Sequence, residues 1–182
     1  MIIAPFSKIV VDKHEERKFR RRALRRNPKE YAEALWGYVR GDTAYICAFL
    51  KCDFKDPTTS SIYIPPEELD AHEDDANDTT IIDKVDGQKM KLELLGTIHT
   101  HPDREFAVVS DFDIWDQLDS QESIQGVCAI EIKNKNTKKE RCITRIEYWP
   151  AVRPLSVERK QEYKKKKAFA AKARGSKKHG RN

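Results

Sequence analysis

The sequence contains no C-x-x-C pair. Its four cysteines, Cys47, Cys52, Cys128 and Cys142, stand apart, which argues against a cysteine zinc site. Each lies in or beside an apolar, strand-like run, so buried, reduced thiols are expected. No apolar run approaches the ~20 residues that span a bilayer. The segment from Met1 to Phe6 is too short for a secretory core before charged residues begin. No membrane association and a cytoplasmic location are therefore expected. No internal repeat is present. Hydrophobic residues make up 38% and charged residues 36% of the 182, which is polar for a globular chain but not polar enough for wholesale disorder. That length suits one domain with a real core.

The net charge of +5 is unevenly placed. Between Arg153 and Arg181 stand twelve Lys/Arg against two Glu, so the rest of the chain is net acidic. Two parts are expected: a folded domain over 1–152 and a basic tail over 153–182, helical or disordered. Residues 156–173 are capable of forming a helix. Such charge suits an acidic or nucleic-acid partner through phosphate contacts. Only Tyr163 and Phe169 interrupt it, so base stacking is poorly supported. The plainer reading is a frayed, solubilising tail.

Along the domain, Phe6–Val11 reads as a strand and His14–Arg26 as a basic helix ended by Asn27-Pro28. Lys29 to about Leu35 reads as a second helix running into Gly37. Tyr38–Cys52 reads as two strands turned at Gly41-Asp42, and Ser60–Ile64 as another strand. Glu67–Asp78 is acidic without an apolar period and reads as a solvated loop or insertion; His72 in it could bind a metal with its neighbours, and a surface histidine is the preferred reading. Met90–His99 reads as a strand. Ser110 caps a helix running to about Gln121, while Gln125–Lys133 and Arg141–Trp149 are the last strands, joined by the polar run Asn134–Glu140. Trp115 and Trp149 read as core or interface aromatics. The fold class is α/β, with a mixed central β-sheet flanked by helices.

The segment that carries chemistry is His99-Thr100-His101-Pro102, seven residues, Ser110, two residues, Asp113. Residues two apart on a strand point to the same side, so His99 and His101 can offer two imidazoles to one ion. Pro102 ends the strand, and the loop after it allows the next helix to bring Asp113 alongside. Two imidazoles and a carboxylate suit Zn2+ and leave a fourth position for water. Zinc lowers the pKa of water enough for attack on a carbonyl near neutral pH. A chance pair of histidines is the competing reading.

The pattern H-x-H-P-x7-S-x2-D resembles the signature of the JAMM metalloproteases, also called the JAB or MPN family, and every signature position is filled here. The resemblance extends in element order over residues 6–150, and only the motif is specific. It implies a stand-alone JAB/MPN-like domain that binds Zn2+ through His99, His101 and Asp113. Ser110 would donate to the oxyanion of the tetrahedral intermediate, or serve as a plain helix cap. The implied activity is an isopeptidase or peptidase acting after the C-terminus of ubiquitin or a ubiquitin-like protein. The alternative is an inactive scaffold of the same fold that recruits protein or nucleic-acid partners.

The family also requires an upstream glutamate, in a pattern similar to E-x-x-G-x-x-x-G, to move protons. If Gly37 and Gly41 are the two glycines, that position falls on Ala34, with Glu33 one residue early. On an extended segment one residue of slip turns a side chain to the opposite face. Three readings stand: a bulge or helical turn re-aims Glu33 at the zinc, the chain is an inactive relative, or an alanine replaces a catalytic glutamate at 34. Glu33 is the expected general base, with Glu30 the remaining candidate and an exposed helix carboxylate the plain reading of Glu33.

Overall fold

A computed structural model describes residues 6–54, 57–58, 62–83, 86–110, 113, 122–138 and 140–150. The elements run β1 (Lys8–Val11), α1 (Lys13–Arg26), β2 (Ala32–Arg40), β3 (Thr43–Lys51), α2 (Pro66–Asn77), β4 (Thr80–Ile82), β5 (Lys89–Lys91), β6 (Glu93–Pro102), β7 (Ile124–Lys133) and β8 (Arg141–Pro150). The result is a mixed α/β fold, mostly sheet, with two helices among the described residues. Six strands form one sheet in the order β1-β3-β2-β6-β7-β8, and β4 pairs with β5 in a separate ribbon. β1 runs parallel to β3 and β6 parallel to β7; the other pairings are antiparallel.

Helix α1 begins where the Asp12 side chain accepts the backbone N–H groups of His14 and Glu15. Glu15 and Glu16 in its first turn and Arg25 and Arg26 in its last complement the helix dipole. Its mean composition is strongly basic, and it binds the sheet through a narrow stripe of Glu16, Phe19 and Ala23. Phe19 is fully buried and stacks on Tyr31 and Phe49, with centroids 6.0 and 5.6 Å apart. Buried Glu16 is paired with Arg20 at 2.9 Å and Lys13 at 3.2 Å.

Strand β2 corrects the expected helix over 29–35. The run Glu30-Tyr31-Ala32-Glu33-Ala34-Leu35 has good helix formers, yet Ala32–Arg40 lies between β3 and β6 and is buried along most of its length. Pairing on both edges overrides local propensity. Its side chains alternate: Tyr31, Glu33 and Leu35 face α1, while Ala34, Trp36 and Tyr38 join the apolar cluster on the other face. Gly37 sits at a bulge against β3 where a Cβ would lie 1.9 Å from the Tyr45 carbonyl oxygen. Gly41 makes the β2–β3 turn at φ 56°, as expected of Gly41-Asp42.

The acidic segment expected to be a loop is helix α2. Pro66 stands at its first turn with Glu67 and Glu68 beside it. It has no apolar period because Ala76 is its only buried residue. Of the expected strand 60–64, residues 60 and 61 lie outside the described residues. So do residues 151–182, including the basic tail. All four cysteines are free thiols. Cys52 and Cys128 are buried and Cys47 half-buried, but Cys142 is exposed on β8, contrary to the expectation of burial.

Candidate metal centre

The centre forms at the C-terminal end of β6. In the β2–β6 register Ala32 lies opposite His99 and Ala34 opposite Thr97. In β6–β7, His99 lies beside Val127 and His101 beside Ala129. Alternation therefore places His99 and His101 on one face, that of Ala32 and Ala34, opposite the α1 face. Ala107, Val127 and Ala129, with Val109 and Trp149, pack as an apolar cluster there, consistent with Trp149 as a core aromatic. Trp115 lies outside the described residues, as does the helix expected from Ser110 to Gln121, apart from Asp113.

His99, His101 and Asp113 come together. The two Nε2 atoms are 2.9 Å apart. Asp113 Oδ1 is 3.2 Å from His99 Nε2, and Oδ2 is 3.5 Å from His101 Nε2. One ligand atom from each residue lies within 4.8 Å of the others. A tetrahedral zinc ion with bonds of ~2.0–2.1 Å holds its donors ~3.3 Å apart. The measured spacings bracket that value, so the donor set fits the ion in both chemistry and size.

Electrostatics bind the trio tightly. Burial would raise the Asp113 carboxyl, but contacts with His101, His99 and Ser110 outweigh it and hold that group well below the usual carboxylate range. Burial would lower His99, yet Asp113, Glu30 and Glu122 reverse the sign and raise it. Glu122 is itself fixed, because its Oε2 accepts the Thr97 backbone N–H at 3.1 Å and the Thr97 hydroxyl at 2.8 Å.

Ser110 and Asp113 form a reciprocal cap. The Ser110 N–H and Oγ–H both donate to Asp113 Oδ2 at 2.7 Å, and the Asp113 N–H donates to Ser110 Oγ at 3.2 Å. Ser110 therefore orients a ligand carboxylate from outside, while remaining exposed itself.

Glu33 is not brought to this centre. It is fully buried on the opposite face, where Arg22 Nε and Nη2 donate to its two oxygens at 2.5 and 2.7 Å. The Tyr31 hydroxyl also donates to Oε1. The bulges of β2 lie between Leu35 and Gly37, beyond Glu33, and do not re-aim it. Ala34 shares the face of the histidines but lies across from Thr97, two residues short of His99.

Besides Glu122, Glu30 is a carboxylate near the candidate ligands. The Thr100 N–H donates to the Tyr31 carbonyl at 2.9 Å, and the Tyr31 N–H donates to Thr100 Oγ1 at 2.8 Å. Tyr31 thus stands opposite Thr100, and one more step carries Glu30 opposite His101. Parity gives it the same face as Ala32 and the histidines. It is 7% exposed. Burial raises its carboxyl above the ordinary value; His99 and His101 oppose that shift and Asp113 adds to it. The signal that identifies Glu30 is present in the sequence as the even spacing Glu30, Ala32, Ala34, and is legible only if the segment is extended.

No family model matches this sequence, and no curated protein matches it. Among solved structures, protein DSY2949 from Desulfitobacterium hafniense aligns at a TM-score of 0.51 and 16% identity, covering 83% of this chain and 96% of its own. AF2198, a JAB1/MPN domain protein from Archaeoglobus fulgidus, aligns at a TM-score of 0.41 and 11% identity, covering 80% of this chain and 90% of its own. The chain is therefore similar in fold to the Desulfitobacterium protein over nearly that protein's whole length.

Proposed function

We propose that this chain is a JAMM-type zinc metallopeptidase that hydrolyses the isopeptide or peptide bond after the C-terminus of ubiquitin or a ubiquitin-like protein. The observation that carries the reading is the convergence of His99 Nε2, His101 Nε2 and the Asp113 carboxylate, with Glu30 placed on the same face. Zinc at this centre supplies an activated water and polarises the scissile carbonyl.

Glu30 is the general base. A buried carboxyl held above its ordinary value, beside His99 and His101, is suited to take a proton from water and return it to the leaving amine nitrogen. The family pattern E-x-x-G-x-x-x-G puts its glutamate on Glu30 when Gly37 is the second glycine, although Glu33 then departs from the pattern at the first glycine position. Ser110 Oγ–H is proposed as the oxyanion donor. Its backbone N–H also holds Asp113 Oδ2 at 2.7 Å, so the hydroxyl can turn to substrate without releasing the ligand. Phe106 and Val108, 63% and 60% exposed, lie on the segment joining His101 to Ser110 and offer apolar contacts to an extended peptide. Residues 1–152 form the catalytic domain, and the basic tail serves an acidic or nucleic-acid partner. Among the described residues no helix is long and apolar enough to cross a membrane.

Cleavage of a fluorogenic ubiquitin-like fusion tests the reading. Turnover should vanish with a zinc chelator and return on adding zinc. A zinc-loaded, folded protein inert toward such fusions would instead favour the scaffold.

A further inference from the structure

We propose that Cys52, Glu68 and His72 form a second, structural zinc site that ties α2 to the end of β3. Cys52 follows the last residue of β3, and Glu68 and His72 stand one turn apart on the same face of α2. One donor atom from each, Cys52 Sγ, a Glu68 carboxylate oxygen and a His72 ring nitrogen, lies within 4.8 Å of the others.

The buried nitrogen of His72 is the second observation. The side chain is 12% exposed, and Nε2 is sealed from solvent with no hydrogen-bond partner among the described residues. Glu68 Oε1 lies 3.4 Å away but out of hydrogen-bond alignment. A buried ring nitrogen without a partner costs free energy, and a metal bond removes that cost. The Trp36 ring packs edge-on against the imidazole at 5.8 Å and fixes its orientation. The Asp53 backbone N–H donates to Glu68 Oε1 at 2.8 Å, orienting the carboxylate. The Ala34 backbone N–H is directed at the Cys52 sulfur, but burial and the Glu68 carboxylate outweigh it and push the thiol up to about 12, so the metal itself must displace the proton.

Charge and donor type select the ion. Zinc binding forms an Sγ–Zn bond and sends the Cys52 thiol proton to solvent. One thiolate, one carboxylate and a neutral imidazole balance a divalent cation, so the loaded site buries no net charge. Sulfur and imidazole donors favour zinc over calcium or magnesium. Cys52 itself is fully buried, which suits a structural ion better than a reactive thiol. The helix it would hold buries only Ala76 and has no side-chain N-cap, so it lacks the usual means of attachment to a sheet. A structural zinc supplies folding free energy to such an element.

The test is metal content of the full-length chain together with Co2+ spectroscopy. The unmodified protein should hold two zinc equivalents. His99→Ala/His101→Ala should keep one, and adding His72→Ala should remove it. Cobalt added to the His99→Ala/His101→Ala protein should give a near-ultraviolet sulfur-to-cobalt band that disappears with His72→Ala or Cys52→Ser. The first centre has no sulfur donor, so the band reports this site alone, and failure of the first centre would leave it intact. If Cys52→Ser does not fold, as judged by circular dichroism, His72→Ala decides. A folded protein whose metal is all lost with His99 and His101 would overturn the proposal. So would a sulfur band that survives His72→Ala, since that would assign cobalt to another thiol.

Discussion

Glu33→Ala should act on stability and leave the metal centre untouched. The substitution removes both acceptors of a bidentate pair with Arg22 and the acceptor of the Tyr31 hydroxyl, in a position that is 0% exposed. Breaking a buried pair by deleting one partner costs about 3–5 kcal/mol. Arg22 is 35% exposed and can turn to water, so the lower end applies, about 3 kcal/mol. For a chain of this length, each kcal/mol moves Tm by about 2–4 °C, so a fall of about 6–12 °C is expected. The assay is thermal unfolding monitored by circular dichroism, with zinc content and turnover measured well below the lowered Tm. Zinc stoichiometry should not change, and turnover at that temperature should stay within about a few-fold of the parent, because Glu33 lies on the α1 face. Arg22→Ala should reproduce the loss of stability, since it leaves the Glu33 carboxyl buried without its guanidinium partner. Unchanged stability, or a turnover loss of the size expected for a general base, would refute the assignment of Glu33 to the core.

Further outcomes follow from the same geometry. His99→Ala/His101→Ala should abolish zinc at the first centre, read by metal analysis, because two of three protein ligands go. Ser110→Ala should slow turnover by about 10²–10³ if its hydroxyl is the oxyanion donor, against about 1 kcal/mol of stability for a cap; unchanged turnover with a lowered Tm leaves it a cap. Gly37→Ala should destabilise the chain in denaturant titrations, because its Cβ meets the Tyr45 carbonyl oxygen, which is backbone and cannot step aside. Burial would raise the Glu16 carboxyl, but Arg20 and Lys13 outweigh it and hold it below 4.5. Glu16 therefore adds stability above that ordinary value and loses it as pH falls through its lowered one, a dependence that Glu16→Gln should flatten in acid unfolding curves.

The grouping of His99, His101 and Asp113 was legible because strand alternation, a Pro stop and a capping Ser each leave a local mark. The placement of Glu30 and Glu33 was harder. Residues 29–35 carry Lys, Glu, Ala and Leu, all good helix formers, and only the two flanking strands make them extended. Read as a helix, the segment hides the parity that sets Glu30, Ala32 and Ala34 on the face of His99 and turns Glu33 away. Gly41 is a turn glycine at the tip of the β2–β3 hairpin, whereas Gly37 lies within β2 at a bulge, a distinction that also depends on reading the segment as extended. Helix α2 was hidden because its attachment is polar. Its single buried Ala76 leaves no periodic apolar signal, while the contacts of Glu68 and His72 with the end of β3 are long-range and leave no trace in local sequence.

In the proposed function Glu30 serves a zinc held by His99, His101 and Asp113. That role is tested most directly by measuring zinc content and turnover of a ubiquitin-like fusion in the same preparation of Glu30→Gln. Zinc occupancy at the first centre should stay full while turnover falls by about 10²–10⁴, the usual contribution of a positioned general base. Turnover equal to that of the parent protein at equal zinc occupancy would contradict it.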